Sequence, residues 1–259
     1  MIEKRVVLLS TGGTIEMVST DAGLDIGSGG AAPPTGGSVL PQHVALEHKA
    51  MHSVPSPHMS PGMMLGLARR IDSQLRRREV SGVVVTHGTD TLEESAFLAD
   101  VTLAPGKPVA FTAAMRSASE LGVDGPRNVM GAIRTVCSDE LHNLGVTVVL
   151  NDEIHSALRV TKTYTSNVSS FASPGYGPLG YVDDDRVLLR RIPALRLDLS
   201  GAGGDLEERV ALVRLAAGYG AAQIAQAVEA GARGLVVEAF GRGNVPPASA
   251  EEIQRAASR

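Results

Sequence analysis

The chain has 259 residues, a formal net charge of −4, a single cysteine and no tryptophan. That length can bury a sizeable core, in one large domain or two modest ones. The mildly acidic balance, with both signs interspersed and few aromatics, offers nucleic acid no basic stripe or stacking platform. No apolar stretch is long enough for a membrane span or a secretory signal, so a cytoplasmic location is expected. Cys137 has no partner for an internal disulfide and reads as a buried core thiol.

The first apolar, β-branched run, Val6-Val7-Leu8-Leu9, reads as a buried strand and delivers Ser10-Thr11-Gly12-Gly13-Thr14-Ile15 at its carboxyl end. Residues 19–38 follow, polar, glycine-rich and proline-containing, which is long for a structureless connection and points to a lid. Pro61 and Gly62 open a helical pattern over 63–78, whose arginine-rich end reads as a solvated face. His43, His48, His52 and His58 fall in loop-like sequence without metal-ligand spacing, and no metal is expected.

A second buried run, Val83-Val84-Val85, delivers Thr86-His87-Gly88-Thr89-Asp90-Thr91. Strand and helix then alternate: helix 92–103, strand 109–112, helix 128–136, strand 145–150. That alternation predicts an α/β fold, a Rossmann-like parallel sheet flanked by helices. In such a sheet, turns at the carboxyl ends of the strands face one crevice. Two hydroxyl-bearing turns brought to it suggest a nucleophilic, amide-cleaving site. Glu93 and Glu94, in the first turn of the second helix, read as surface residues that complement its dipole.

The sequence becomes irregular over 156–181, then gives a short strand at 187–190. Residues 1–191 are expected to form the catalytic domain, 192–205 a linker, and 206–259 a smaller, incomplete α/β domain. The last part reads as helix 206–217, helix 221–230, strand 234–239 and helix 248–257.

Thr11-Gly12-Gly13-Thr14-Ile15 together with His87-Gly88-Thr89-Asp90-Thr91-Leu92-Glu93-Glu94 resembles the bacterial L-asparaginase (asparaginase/glutaminase) family. Ala114-Met115-Arg116, Asp124-Gly125-Pro126-Arg127-Asn128, Val160-Thr161-Lys162-Thr163 and the segment 174–181 continue the likeness in the family's order and spacing. The resemblance implies an amidohydrolase that converts L-asparagine to L-aspartate and ammonia through a threonine acyl-enzyme, without a cofactor. Glutaminase activity on the same fold, and a catalytically impaired aspartate- or asparagine-binding homologue, are the alternatives. An ammonia-supplying amidotransferase subunit is disfavoured, because such subunits carry an additional domain before the catalytic strand.

Thr14 matches the family's nucleophile, with backbone N–H groups of its turn available to a developing oxyanion; read in isolation, the same threonine would be a helix cap. A threonine hydroxyl needs a base. Thr89, Lys162 and Asp90 fit a hydroxyl, base and orienter by triad logic, and a buried ion pair is the structural alternative. Ser56 matches a residue that holds the substrate's α-carboxylate, Asp90 one that meets its α-ammonium, and the main chain at Ala114 one that faces the side-chain amide. His87 reads as a hydrogen-bonding turn residue. The family also implies a homo-oligomer, a dimer of dimers.

Three departures stand out. Residues 19–38 lack the lid tyrosine found in well-known members, Pro57 replaces a polar residue after Ser56, and Pro246 stands where a second asparagine is frequent. Because the family continues through further elements that include an acidic residue, a chain ending at Arg259 is expected to be a truncated form.

Overall fold

The computed structural model describes residues 3–20, 23–26, 40, 41 and 43–258. Fourteen strands and five α-helices follow one another among these. The elements are β1 (Lys4–Ser10), β2 (Met17–Thr20), β3 (Gly23–Ile26), β4 (Val44–Ala50), α1 (Pro61–Leu75), β5 (Val80–Thr86), α2 (Leu92–Thr102), β6 (Val109–Thr112), α3 (Gly125–Cys137) and β7 (Val146–Leu150). Then come β8 (Glu153–Ser156), β9 (Thr161–Lys162), β10 (Phe171–Ala172), β11 (Gly180–Asp183), β12 (Arg186–Leu189), β13 (Val210–Arg214), α4 (Ala221–Glu229), β14 (Gly234–Glu238) and α5 (Pro247–Ala257).

Eight strands form the main sheet, in the order β12-β11-β8-β7-β6-β5-β1-β4. The five from β4 to β7 are mutually parallel, as the alternation of strand and helix requires. Beyond β7 the chain turns back through Asn151 and Asp152, both at positive φ, and adds β8, β11 and β12 in antiparallel fashion. The sheet is therefore mixed rather than wholly parallel.

Period-2 alternation along β1 divides the core. Val7 and Leu9 join Val83, Val85, Leu67, Ile71, Leu92 and Ala96 under α1 and α2. Val6 and Leu8 join Val84, Val129 and Ile133 under α3. All four β1 side chains are fully buried, each worth about 1.5–3 kcal/mol by transfer. Cys137, at the end of α3, is partly buried, and that burial pushes its thiol up to about 11, so it is an inert core group.

The chain divides into two compact units, 1–203 and 204–259. Residues 192–203 belong to the first. Leu199 N–H bonds Val101 O at 2.7 Å, and Arg196 Nη2 bonds Leu103 O at 2.8 Å, so this stretch runs docked along the end of α2. In the second unit β13 and β14 pair in parallel, and Val213, Leu215 and Ile224 form its core.

Two readings are corrected. Residues 210–214 form a strand where a helix was expected, because Val213 and Leu215 are buried while Leu212 and Arg214 are exposed, a period of two. His48 is not in a loop but on β4, level with Leu8 of β1.

Candidate active site

The topology brings two turns together. From β1 the chain leads to β4 on one side, and from β5 through α2 to β6 on the other. A crevice opens where such connections part, above the carboxyl ends of the strands. β1 and β5 are adjacent and parallel with Ser10 level with Thr86, so both motif turns leave at the same height. Thr11 donates to Thr86 O from its amide and from its hydroxyl, each at 3.1 Å.

Glycine is what lets the turns meet. Gly12 and Gly13 have φ of 96° and 86°, in the left-handed region where side chains are strained. A Cβ on Gly12 would lie 2.7 Å from Val54 N, and one on Gly13 would lie 2.6 Å from Gly88 N. A Cβ on Gly88 would in turn lie 2.6 Å from Ser56 Cβ. The first turn thus meets the backbone of both other loops, and Gly88 meets the Ser56 side chain. Thr14 opens a short 3₁₀ turn, Thr14–Glu16, and is half-buried. The cap of that turn is Gly13, so the cap reading of Thr14 does not hold.

Lys162 reaches the second turn from across the fold. Its Nζ donates to Thr89 Oγ1 at 2.8 Å and to Asp90 Oδ1 at 2.6 Å. Thr89 is buried, the Lys162 side chain is 17% exposed and that of Asp90 56%, so the group opens to solvent on its carboxylate side. Ser56, also buried, accepts Asp90 N–H at 3.1 Å through Oγ, and its carbonyl accepts the Thr91 hydroxyl at 2.8 Å. Its own hydroxyl proton is left to donate. Thr89, Asp90, Lys162 and Ser56 are therefore joined by direct bonds, and Thr14 is joined to them through Gly13 and Gly88.

Ala114 follows β6, one strand further on, and is buried. Asp124 fixes its neighbours by accepting Met115 N–H at 3.0 Å and Arg116 N–H at 2.9 Å. Asn128 Nδ2 donates to Ala113 O at 3.0 Å. The Asp124–Asn128 motif thus holds the main chain on either side of Ala114. No direct bond links Ala114 to the Thr89 group among the described residues; Ile15, beside Thr14, shares its core cluster.

His87 is fully buried, and its pKa is lowered, chiefly by that burial. Its Nδ1 lies 2.8 Å from Gly88 O, which only accepts, so the proton is on Nδ1 and Nε2 takes the Ser95 hydroxyl at 2.9 Å. This is a structural turn histidine. His48 Nε2 meets Ser10 Oγ at 3.1 Å, and Glu16 meets Thr86 Oγ1 at 3.4 Å, both close below Thr14 in sequence or register. Burial raises the Glu16 pKa, with its bonds to Ser10 and Thr86 opposing that shift.

Glu93 lies in the first turn of α2, as expected, but it is partly buried and its carboxylate is taken by other groups rather than left on the surface. Its Oε2 accepts Lys162 N–H at 2.6 Å and its Oε1 accepts the Thr161 hydroxyl at 3.1 Å. Glu94 is exposed in the first turn of α2, as its surface reading expects, and desolvation raises its pKa ahead of repulsion from Glu93 and Asp90. The only sequence signal for Glu93 was its place in the motif, since its partners lie 68 and 69 residues away. The strands Met17–Thr20 and Gly23–Ile26, which enter the expected lid at 19–38, form an antiparallel ribbon, and the rest of 19–38 lies outside the described residues. Among the described residues no group of three His, Cys, Asp or Glu could hold a metal ion, and no helix is long and apolar enough to cross a membrane.

Comparison with known proteins gives the family. Residues 5–194 match the family described as Asparaginase, N-terminal, and residues 209–259 the Glutaminase/Asparaginase C-terminal domain. The chain belongs to the L-asparaginase family. It is 33% identical over 257 residues to an L-asparaginase of Bacillus licheniformis, covering 98% of this chain and 79% of that relative. It is 32% identical over 249 residues to L-asparaginase 2 of Escherichia coli (strain K12), covering 93% and 71%. A probable periplasmic L-asparaginase of Haemophilus influenzae is 33% identical over 208 residues, covering 79% of this chain and 59% of its own. The asparaginase family model spans the whole constellation, from Thr14 to Lys162.

Proposed function

We propose that this chain hydrolyses the side-chain amide of L-asparagine to L-aspartate and ammonia. One observation carries the reading most: Lys162 Nζ lies within hydrogen-bond distance of both Thr89 Oγ1 and Asp90 Oδ1, within the residues that the family model matches. Relatives named L-asparaginase support the substrate.

In this reading the Thr14 hydroxyl oxygen attacks the amide carbon. Backbone N–H groups of the adjoining turns stabilise the oxyanion. The C–N bond then breaks, the nitrogen leaves with the threonine's proton as ammonia, and an ester to Thr14 remains. Water hydrolyses the ester, and the threonine regains its proton. Lys162, held by Asp90, serves Thr89 or the hydrolytic water as base. Ser56 donates to the substrate α-carboxylate, Asp90 faces its α-ammonium, and the main chain at Ala114 faces the amide. Domain roles follow: residues 1–191 hold the chemistry and 206–259 form the smaller unit.

The deciding experiment is ammonia release from asparagine by the parent and by Thr14→Ala and Thr89→Val. Loss in both variants is expected, and parental activity in both would sink the mechanism. Aspartate binding without ammonia release by the parent would establish a binding homologue instead. The C-terminal match to a Glutaminase/Asparaginase domain makes glutamine the second substrate to assay, with asparagine expected to be faster. Self-association into a dimer of dimers is part of the proposal, supported by exposed Tyr176, Ile192 and Leu195, and sedimentation tests it. So is a cytoplasmic location, supported by a single cysteine that leaves no disulfide to form. The Haemophilus relative named periplasmic marks the other compartment, and fractionation separates the two.

A further inference from the structure

Lys162 is carried by a very short element. β9 is two residues long and pairs with the two residues of β10. So few ladder bonds leave a strand marginal by itself. Glu93 supplies the missing restraint. Its two carboxylate oxygens are taken by two successive groups of β9, the Thr161 hydroxyl and the Lys162 amide. Hydrogen bonds to an ionised acceptor are roughly twice as strong as neutral ones. Glu93 also lies in the first turn of α2, which begins directly after Thr89, Asp90 and Thr91. One helical turn therefore fixes both the acceptors of Lys162 Nζ and the strand that carries it.

From this juxtaposition we infer that Glu93 is a positioning residue: it seats Thr161 and Lys162 against the start of α2 and so holds Lys162 Nζ within reach of Thr89 and Asp90. The inference rests on reading Lys162 as part of the active site. Glu93 touches no reacting atom, and its effect passes through the main chain of β9. A displacement of about 1 Å in a catalytic group costs on the order of 100-fold in rate, so a loosened β9 shows first in turnover.

The test compares Glu93→Ala and Glu93→Gln with the parent in kcat and KM for asparagine. It also follows the acylation rate of Lys162 relative to Lys49 by an amine-selective reagent and mass spectrometry. Glutamine keeps a carbonyl oxygen for Lys162 N–H and offers its amide to the Thr161 hydroxyl oxygen, so it preserves the seat without the charge. Glu93→Ala is expected to lower kcat about tenfold or more, leave KM within about threefold and raise relative Lys162 labelling about threefold, while Glu93→Gln returns kcat to within about threefold of the parent. Parental kcat and labelling in Glu93→Ala, or equal impairment of both variants, would overturn the inference. Should Glu93→Ala fail to fold, Thr161→Val removes one of the two bonds and takes its place, with a severalfold fall in kcat expected and a parental value contradicting it. A parent inert on asparagine defeats the functional proposal alone, because the labelling comparison still decides this one.

Discussion

At the scale of single residues, the candidate site is a set of short polar contacts around Lys162. Replacing its partners separates binding from turnover. Thr89→Val and Lys162→Met are each expected to lower kcat by about 100-fold or more, with unchanged circular dichroism, in a steady-state ammonia assay. Glu16 gives a pH-dependent prediction. Its folded-state pKa is raised above the ordinary 4.5, so the folded protein binds more protons than the unfolded chain as pH climbs from there. The parent loses stability over that interval. Glu16→Gln removes the titration, and its melting temperature should gain on the parent from pH 4 to pH 8. A constant difference across that range would contradict this account. The Glu16–Thr86 contact and the Glu93 contacts were not readable from the sequence, because each joins groups 68 to 70 residues apart through a fold that the local pattern does not encode. Thr14, Thr89 and Asp90 were legible because glycine-hydroxyl turns after buried runs are local signals.

At the scale of elements, glycines behave oppositely according to what surrounds them. Gly13→Ala places a Cβ at positive φ against the backbone of Gly88, and should cost about 2–5 kcal/mol. Gly66, inside α1, has nothing within 4 Å of an added Cβ. Gly66→Ala should stabilise by about 1 kcal/mol, through helix propensity alone. Urea midpoints of the two variants check both signs. The same contrast between local and distant causes explains which elements the sequence disclosed. The helices at 61–75 and 125–137 carry their own apolar period, while that at 92–102 has little of one. β4 does not: Glu47, His48 and Lys49 interrupt it, and it is a strand only because β1 offers its edge. β13 was misread because the alanines and leucines of 206–217 fit a helical period as well as a period of two.

At the scale of the whole molecule, three histidines resist protonation. His48, His87 and His155 all have pKa values lowered from 6.5, with burial the largest cause. The unfolded chain binds protons there first, so each histidine withdraws stability as pH falls through 6.5 towards its folded value. His87→Gln isolates one contribution: the parent should lose stability relative to this variant between pH 7.5 and pH 5, measured by urea midpoint at each pH. A pH-independent difference would refute it. The parallel half of the sheet followed from the strand–helix alternation, whereas β8, β11 and β12 are short and their antiparallel docking depends on turns at Asn151, Asp152 and Asp184. The meeting of Gly12, Gly13, Gly88 and Ser56 has a practical corollary for anyone redesigning the pocket. Gly12 and Gly13 meet the main chain of the neighbouring loops while Gly88 meets the Ser56 side chain, so a bulkier residue at any of the three glycines would force its loop away from the next. Any altered selectivity has to be sought at positions that leave these glycines, and so the contact between the loops, intact.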